Sequence, residues 1–201
     1  MRMGAPARVR IFGIDPGSVR TGYGCIESDG TRHRLIACGA IAASARLPFP
    51  DRLLKIHNEL TTLLTQCRPD GVAVESLFHH AHARSALQLG HARGVALLAA
   101  TQAGVPIAEY SPMEIKRAVV GYGRAEKTQV QAMIRLLLGL AAAPQPLDVS
   151  DALAVAICHL HHCGQRAVVD AAMTAEPPAR RRGGSSATSW RKYKVAATPG
   201  R

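Results

Sequence analysis

The hydrophobic period of this chain first turns helical near residue 50, and that change limits the folds open to it. Before it lie three strand-like runs. Val9-Arg10-Ile11-Phe12-Gly13-Ile14 is apolar and β-branched, 22 to 28 alternates, and 32 to 42 follows the turn Ser28-Asp29-Gly30-Thr31, a pattern that predicts a three-stranded antiparallel meander. After Pro48-Phe49-Pro50 the spacing becomes helical, with Leu53, Leu54, Ile56, Leu60, Leu63 and Leu64 facing a core over 51 to 66. Strands at 71 to 75 and 105 to 109 then alternate with helices at 82 to 103, 111 to 119, 126 to 140 and 147 to 163. Strands separated by helices pair in parallel through crossovers. The expectation is an α/β domain on a mixed five-stranded sheet, an antiparallel meander plus parallel strands, flanked by helices.

Four acidic residues sit where such a scaffold gives no reason for a surface carboxylate. Asp15 ends the first strand, Glu75 ends Gly71-Val72-Ala73-Val74, and Asp148 and Asp151 open the apolar segment 151 to 157. A carboxylate among such neighbours must be paired, neutralised or bound to a cation. Ligands collect at the carboxyl ends of parallel strands, where Asp15 and Glu75 both lie. Three residues apart on a helix, Asp148 and Asp151 project from roughly one face and can approach those strand ends together. Hard oxygen donors with no matching His/Cys set favour Mg²⁺ or Mn²⁺ over zinc. Two such ions ~4 Å apart could activate a water and stabilise the leaving oxygen in phosphodiester hydrolysis. Helix capping by Asp148, with Asp151 at the positive helix end, is the simpler alternative. It leaves Asp15 and Glu75 unexplained. Glu109, after Val105-Pro106-Ile107-Ala108, is a fifth acid near a strand end and reads as a structural hydrogen-bond acceptor.

Charge says what such a site would act on. The 201 residues suit one domain and hold 25 Lys/Arg against 14 Asp/Glu, with 7 against 1 falling in residues 171 to 201. A basic protein with an acidic site reads as an enzyme for a polyanion. The Arg- and Pro-rich stretch from Pro177 has the composition of disorder, so the expected division is an extension over 1 to 8, a globular domain over 9 to 166 that carries the acidic site, and a basic tail over 171 to 201. No long apolar run and no secretory-type N-terminus occur, so a cytoplasmic chain is expected. The five cysteines are odd in number, and only Cys158-His159-Leu160-His161-His162-Cys163 raises a zinc question. Helical spacing pairs Cys158 with His162 and His159 with Cys163 on two faces, not around one centre.

Gly17-Ser18-Val19-Arg20-Thr21-Gly22-Tyr23-Gly24 has the glycine spacing of a phosphate-binding loop, but Tyr23 stands where the essential Lys belongs and a strand follows instead of a helix. Four other segments carry a resemblance. Phe12-Gly13-Ile14-Asp15-Pro16-Gly17-Ser18, Val74-Glu75-Ser76-Leu77-Phe78, Ser85 through Gly94, and Asp148-Val149-Ser150-Asp151-Ala152-Leu153-Ala154 resemble, in order and spacing, the RuvC family of bacterial Holliday-junction resolvases. The resemblance runs from about residue 9 to 163. It implies a ribonuclease-H-like fold, a homodimer, and Mg²⁺-dependent paired nicking of opposed strands at four-way DNA, with RuvA and RuvB as branch-migration partners. By position it makes Asp15, Glu75, Asp148 and Asp151 the catalytic and metal-binding acids. Lys116 and Lys127 resemble basic residues near the scissile phosphate, Phe78 an aromatic that stacks on a junction base, and Arg93, in a matching segment, and Arg84, just before it, are candidate DNA contacts. Histidines at 79, 80 and 82 stand where the family commonly shows Lys and Asn. The apolar helix 82 to 103, with Leu87, Leu89, Val95, Leu97, Leu98 and Ala99, is the expected dimer element.

Overall fold

The computed structural model describes residues 8–76 and 83–174, with side chains as far as residue 164. Its strands are β1 (Val9–Asp15), β2 (Arg20–Ser28), β3 (His33–Ala42), β4 (Gly71–Glu75) and β5 (Ile107–Tyr110). Its helices are α1 (Phe49–Cys67), α2 (Ala83–Gln102), α3 (Pro112–Val120), α4 (Lys127–Leu137) and α5 (Leu147–Thr174). The sheet runs β3-β2-β1-β4-β5, antiparallel through the first three strands, with β4 parallel to both β1 and β5. This is the mixed sheet of a ribonuclease-H-like fold. Leu147 opens α5 as expected, but the helix passes its predicted end at 163 because no proline interrupts the chain before Pro177.

Strand alternation assigns each side chain to a layer. Phe12 and Ile14 of β1 and Val72 and Val74 of β4 point to one face, where they meet Ile56, Leu60 and Leu64 of α1 and Ala92, Ala96 and Ala99 of α2. Leu54 departs from the expected core face: it is exposed, since adjacent Leu53 and Leu54 lie about 100° apart on a helix and only one can turn inward. On the other face Ile11, Ile26 and Ala73 meet α5, which α3 and α4 cover in turn. Sandwiched in this way, α5 is apolar all round from Ala152 to Cys158.

Glycines let α5 lie directly on the sheet. A Cβ built on Gly13 would fall 2.0 Å from the carbonyl oxygen of Ala152, one on Gly22 would fall 2.0 Å from that of Asp148, and one on Gly24 would fall 2.4 Å from Leu153 Cδ2. These three positions form a floor with no side chains. The first turns of α5 therefore sit at a fixed height above the ends of β1 and β2.

Candidate active site

The alternation that sorts the core also sorts the acids. Ile11 and Ala73 face α5, so Asp15 and Glu75, four and two residues further along their strands, face it too. Ile14 pairs with Val74 in parallel register, and the two acids follow one residue later at adjoining strand ends. Asp15 is paired on its other side with Gly22, the residue beneath the Asp148 backbone. Two strand ends and the first turns of one helix thus bring the four predicted acids to one place.

Electrostatics records their proximity. Burial, then the charges of Glu75, Asp151 and Asp148, push the Asp15 carboxyl up to about 8, with Lys127 opposing. Burial and Asp151 push Glu75 up to about 7, against Lys127 and Lys116. Two protein cations are bonded to the remaining acids. Lys127 Nζ, at the start of α4, donates to Asp151 Oδ2 at 2.7 Å, and Arg20 Nη1, at the start of β2, donates to Asp148 Oδ2 at 3.4 Å. The bond to Asp151 in turn holds the Lys127 ammonium above its ordinary value.

Among the described residues no three His, Cys, Asp or Glu side chains close on one point tightly enough to grip an ion as they stand. The four carboxylates are a neighbourhood, not a finished cage, and two of them are bonded to Lys127 and Arg20. Their chemistry nonetheless fits a divalent cation: hard anionic oxygens, partly buried, with more negative charge than the adjacent cations offset.

The loop between Asp15 and β2 is pinned. Thr21 Oγ1 donates to Gly17 O at 2.9 Å, Val19 O accepts from Ala43 N at 2.8 Å, and the buried Arg52 donates to Ser18 O while lying over the Phe49 ring. This is a strand connection and not a phosphate cradle.

Other candidates separate. Lys116 and Lys127 both lie in the field of Glu75. Glu109 pairs with Val74 and so points to the opposite face of the sheet from Glu75, where it accepts from Arg93 of α2. That partner draws Arg93, expected as a DNA contact, inward against the sheet. Arg84 is exposed in the first turn of α2. Phe78 and His79, His80 and His82 lie outside the described residues. Cys158 Sγ lies 3.7 Å from His162 Nδ1 and Cys163 Sγ 3.4 Å from His159 Nε2, two separate pairs. Sequence reasoning missed Arg20 and the glycine floor; the recurrence of glycine at 22 and 24 on one strand face was the available signal for the floor.

Comparison with known proteins bears on the family and the fold. A family model described as crossover junction endodeoxyribonuclease RuvC matches residues 11–159. Relatives bearing that description include one from Koribacter versatilis, 51% identical over 154 residues that cover 76% of this chain and 93% of the relative. Another, from Syntrophomonas wolfei, is 49% identical over 153 residues, 76% of this chain and 89% of its own. The structure of Thermus thermophilus RuvC superposes with a TM-score of 0.72 at 37% identity, covering 78% of this chain and 96% of that one. The same enzyme in complex with Holliday junction substrate gives 0.72 at 34% identity over the same shares. A yeast mitochondrial Holliday junction resolvase, at a TM-score of 0.58 and 13% identity over 82% of this chain and 85% of that one, shares the fold.

Proposed function

The chain belongs to the RuvC family of crossover junction endodeoxyribonucleases, and from that premise we propose how its own residues resolve a junction. The activity is endonucleolytic cleavage of DNA at Holliday junctions, in recombination and repair, and it depends on divalent metal. The proposal assigns the metal as Mg²⁺, with Mn²⁺ as a substitute, and the ligands as Asp15, Glu75, Asp148 and Asp151. The observation that carries it is the convergence of these four acids from β1, β4 and α5 on one sheet face, with burial and neighbouring carboxylates pushing Asp15 up to about 8 and Glu75 up to about 7. Bound there as a pair, the ions would supply a water nucleophile and stabilise the leaving oxygen.

The remaining work belongs to the protein. The glycine floor fixes the height of Asp148 and Asp151 over Asp15. Lys127 and Lys116 set positive charge beside the acids, which lessens their repulsion of an entering phosphate. Phe78, Arg84 and Arg93 are proposed as further DNA contacts. Arg84 is the better supported of the two arginines, because Arg93 is held by Glu109.

Symmetric paired nicks in opposed strands call for two active sites, and α2 supports a homodimer through one uncovered stripe. Leu87 is 65% and Leu98 51% exposed, with Gly90 and Gly94 between them opening to free space. Partnership with RuvA and RuvB, a domain boundary near 166 ahead of a basic DNA-binding tail, and action in the cytoplasm complete the reading. No helix among the described residues is long and apolar enough to cross a membrane.

The test is cleavage of end-labelled four-way junction, linear duplex and RNA–DNA hybrid in Mg²⁺, Mn²⁺ or EDTA, by wild type and Asp15→Asn. Paired nicks confined to the junction, absent in EDTA and in the variant while binding persists, are expected. Cleavage of hybrid or duplex in preference would overturn the substrate and keep the metal site.

A further inference from the structure

β2 supplies two residues to Asp148, and they serve it differently. Gly22 underlies its backbone. Arg20, two residues earlier and so on the same strand face, reaches its carboxylate with a single nitrogen, Nη1 to Oδ2 at 3.4 Å, from a side chain 51% exposed onto one 34% exposed. A long, half-solvated, one-point contact of this kind does little for folding. The pinning of the adjoining loop already falls to the buried Arg52 and to Thr21. A guanidinium at the rim of the acids is thus left without a structural task.

Asp148 Oδ2 cannot serve both Arg20 and a divalent ion, and the ion, with twice the charge and no side-chain entropy to lose, takes precedence. The displaced guanidinium then sits beside the one place a phosphodiester must enter for the four acids to act on it. Its planar fork matches phosphate oxygens in pairs.

We propose that Arg20 is an ion-gated phosphate contact: it holds Asp148 when that carboxylate carries no metal, and passes to a backbone phosphate of the junction DNA once Asp148 ligates the ion. The proposal rests on the reading of Asp148 as a metal ligand. It couples ion binding to substrate binding through one side chain, so that DNA is gripped at this point only when the site is loaded. Lys127 holds Asp151 by a shorter bond, 2.7 Å, and is the second cation among the acids.

Fluorescence anisotropy with a labelled four-way junction tests it, comparing wild type, Arg20→Ala and Arg20→Lys in EDTA and in Ca²⁺, an oxygen-seeking ion of looser geometry than Mg²⁺. A denaturing gel of each sample verifies that the strands are intact. In EDTA the three proteins should bind alike. In Ca²⁺, Arg20→Ala should bind about tenfold more weakly, as for loss of one charge-assisted phosphate contact. Its slope of log affinity against log salt should fall by ~0.9, and Arg20→Lys should recover that slope. Mn²⁺ binding to the DNA-free protein, read by electron paramagnetic resonance, should be unchanged or tighter in Arg20→Ala, because a competitor has been removed. Equal weakening of DNA binding in EDTA and Ca²⁺, no weakening in either, or looser Mn²⁺ binding each overturns the gate. A wild type that binds no Mn²⁺ removes the ligand reading itself, and the gate with it.

Discussion

The two ends of the sheet hold partly or wholly buried carboxylates in opposite electrical settings. At the amino end of β1, Glu27 is 6% exposed and accepts from Arg34 Nη2 at 2.9 Å, Arg10 Nε at 3.0 Å and Arg8 Nη1 at 3.3 Å. Its bonds to Arg34 and Arg10 hold its carboxyl below the ordinary value. Roughly 17 Å along the strand, Asp15 and Glu75 share their end with two further carboxylates and are raised to about 8 and about 7. One acid has three guanidinium groups; four acids have two bonded cations between them. Where the protein satisfies a carboxylate from its own side chains, that carboxylate serves the fold. Where it gathers more negative charge than it offsets, the deficit is a binding energy held for an ion from outside, and folding bears the cost.

Substitution of each kind of acid should separate the two roles. Asp15→Asn is expected to lower the cleavage rate on the order of 10³-fold or more, the equivalent of several kcal/mol of lost transition-state stabilisation. The same change should raise the thermal midpoint in EDTA at pH 7, since folding no longer has to keep a buried carboxyl protonated up to about 8; a fall in the midpoint would sink the view that this end of the sheet is electrostatically loaded. Gly22→Ala comes next. Its Cβ would meet the Asp148 carbonyl oxygen at 2.0 Å, so the first turn of α5 must lift. Displacement by about 1 Å predicts ~100-fold slower cleavage, and the strain predicts about 1–3 kcal/mol of lost stability. Unchanged turnover in single-turnover assays at saturating enzyme would show that the floor does not set the site. Lys127→Ala should be milder, about tenfold in cleavage, as loss of one charged hydrogen bond to Asp151. Salt titration of junction binding checks it, because a lysine that also meets phosphate lowers the salt slope when removed.

Most of this contrast could be read from the sequence at one end of the sheet and almost none at the other. The four acids proposed as catalytic betray themselves locally, because each interrupts or terminates an apolar run, and strand alternation is a local property too. Glu27 sits in an alternating strand, where a charged residue is unremarkable; its three arginines come from β1, β3 and the segment before β1, and only the antiparallel register collects them. Glu109 shows the same limit from the other side. It ends an apolar run as Glu75 does, yet the parallel pairing of Val74 with Glu109 turns it to the far face. Arg20 was hidden in a glycine-rich segment that reads as a loop, although β2 already begins there. What sequence patterns could not supply is register between elements and the closeness of α5 to the sheet, both of which depend on packing partners far along the chain.

The smallest effect on catalysis should come from Glu27, and there the sign with pH is diagnostic. Glu27→Gln keeps the shape and removes the charge that three arginines converge on, so the urea midpoint should fall while junction cleavage stays at the wild-type rate. The wild-type carboxyl titrates lower in the folded chain than its ordinary 4.5. A depressed acid binds fewer protons folded than unfolded, so its contribution is fully present above about 4.5 and is lost as the pH falls through the folded value. The midpoints of wild type and Glu27→Gln should therefore differ at pH 7 and converge in acid. Because this end of the sheet lies away from the acids proposed to bind metal, the difference at pH 7 should be the same in EDTA and in Mg²⁺, whereas stabilisation by Mg²⁺ itself should vanish in Asp15→Asn. If Mg²⁺ altered the Glu27→Gln difference, the two ends would be coupled through β1, and the division between a carboxylate kept for the fold and carboxylates kept for an ion would have to be abandoned.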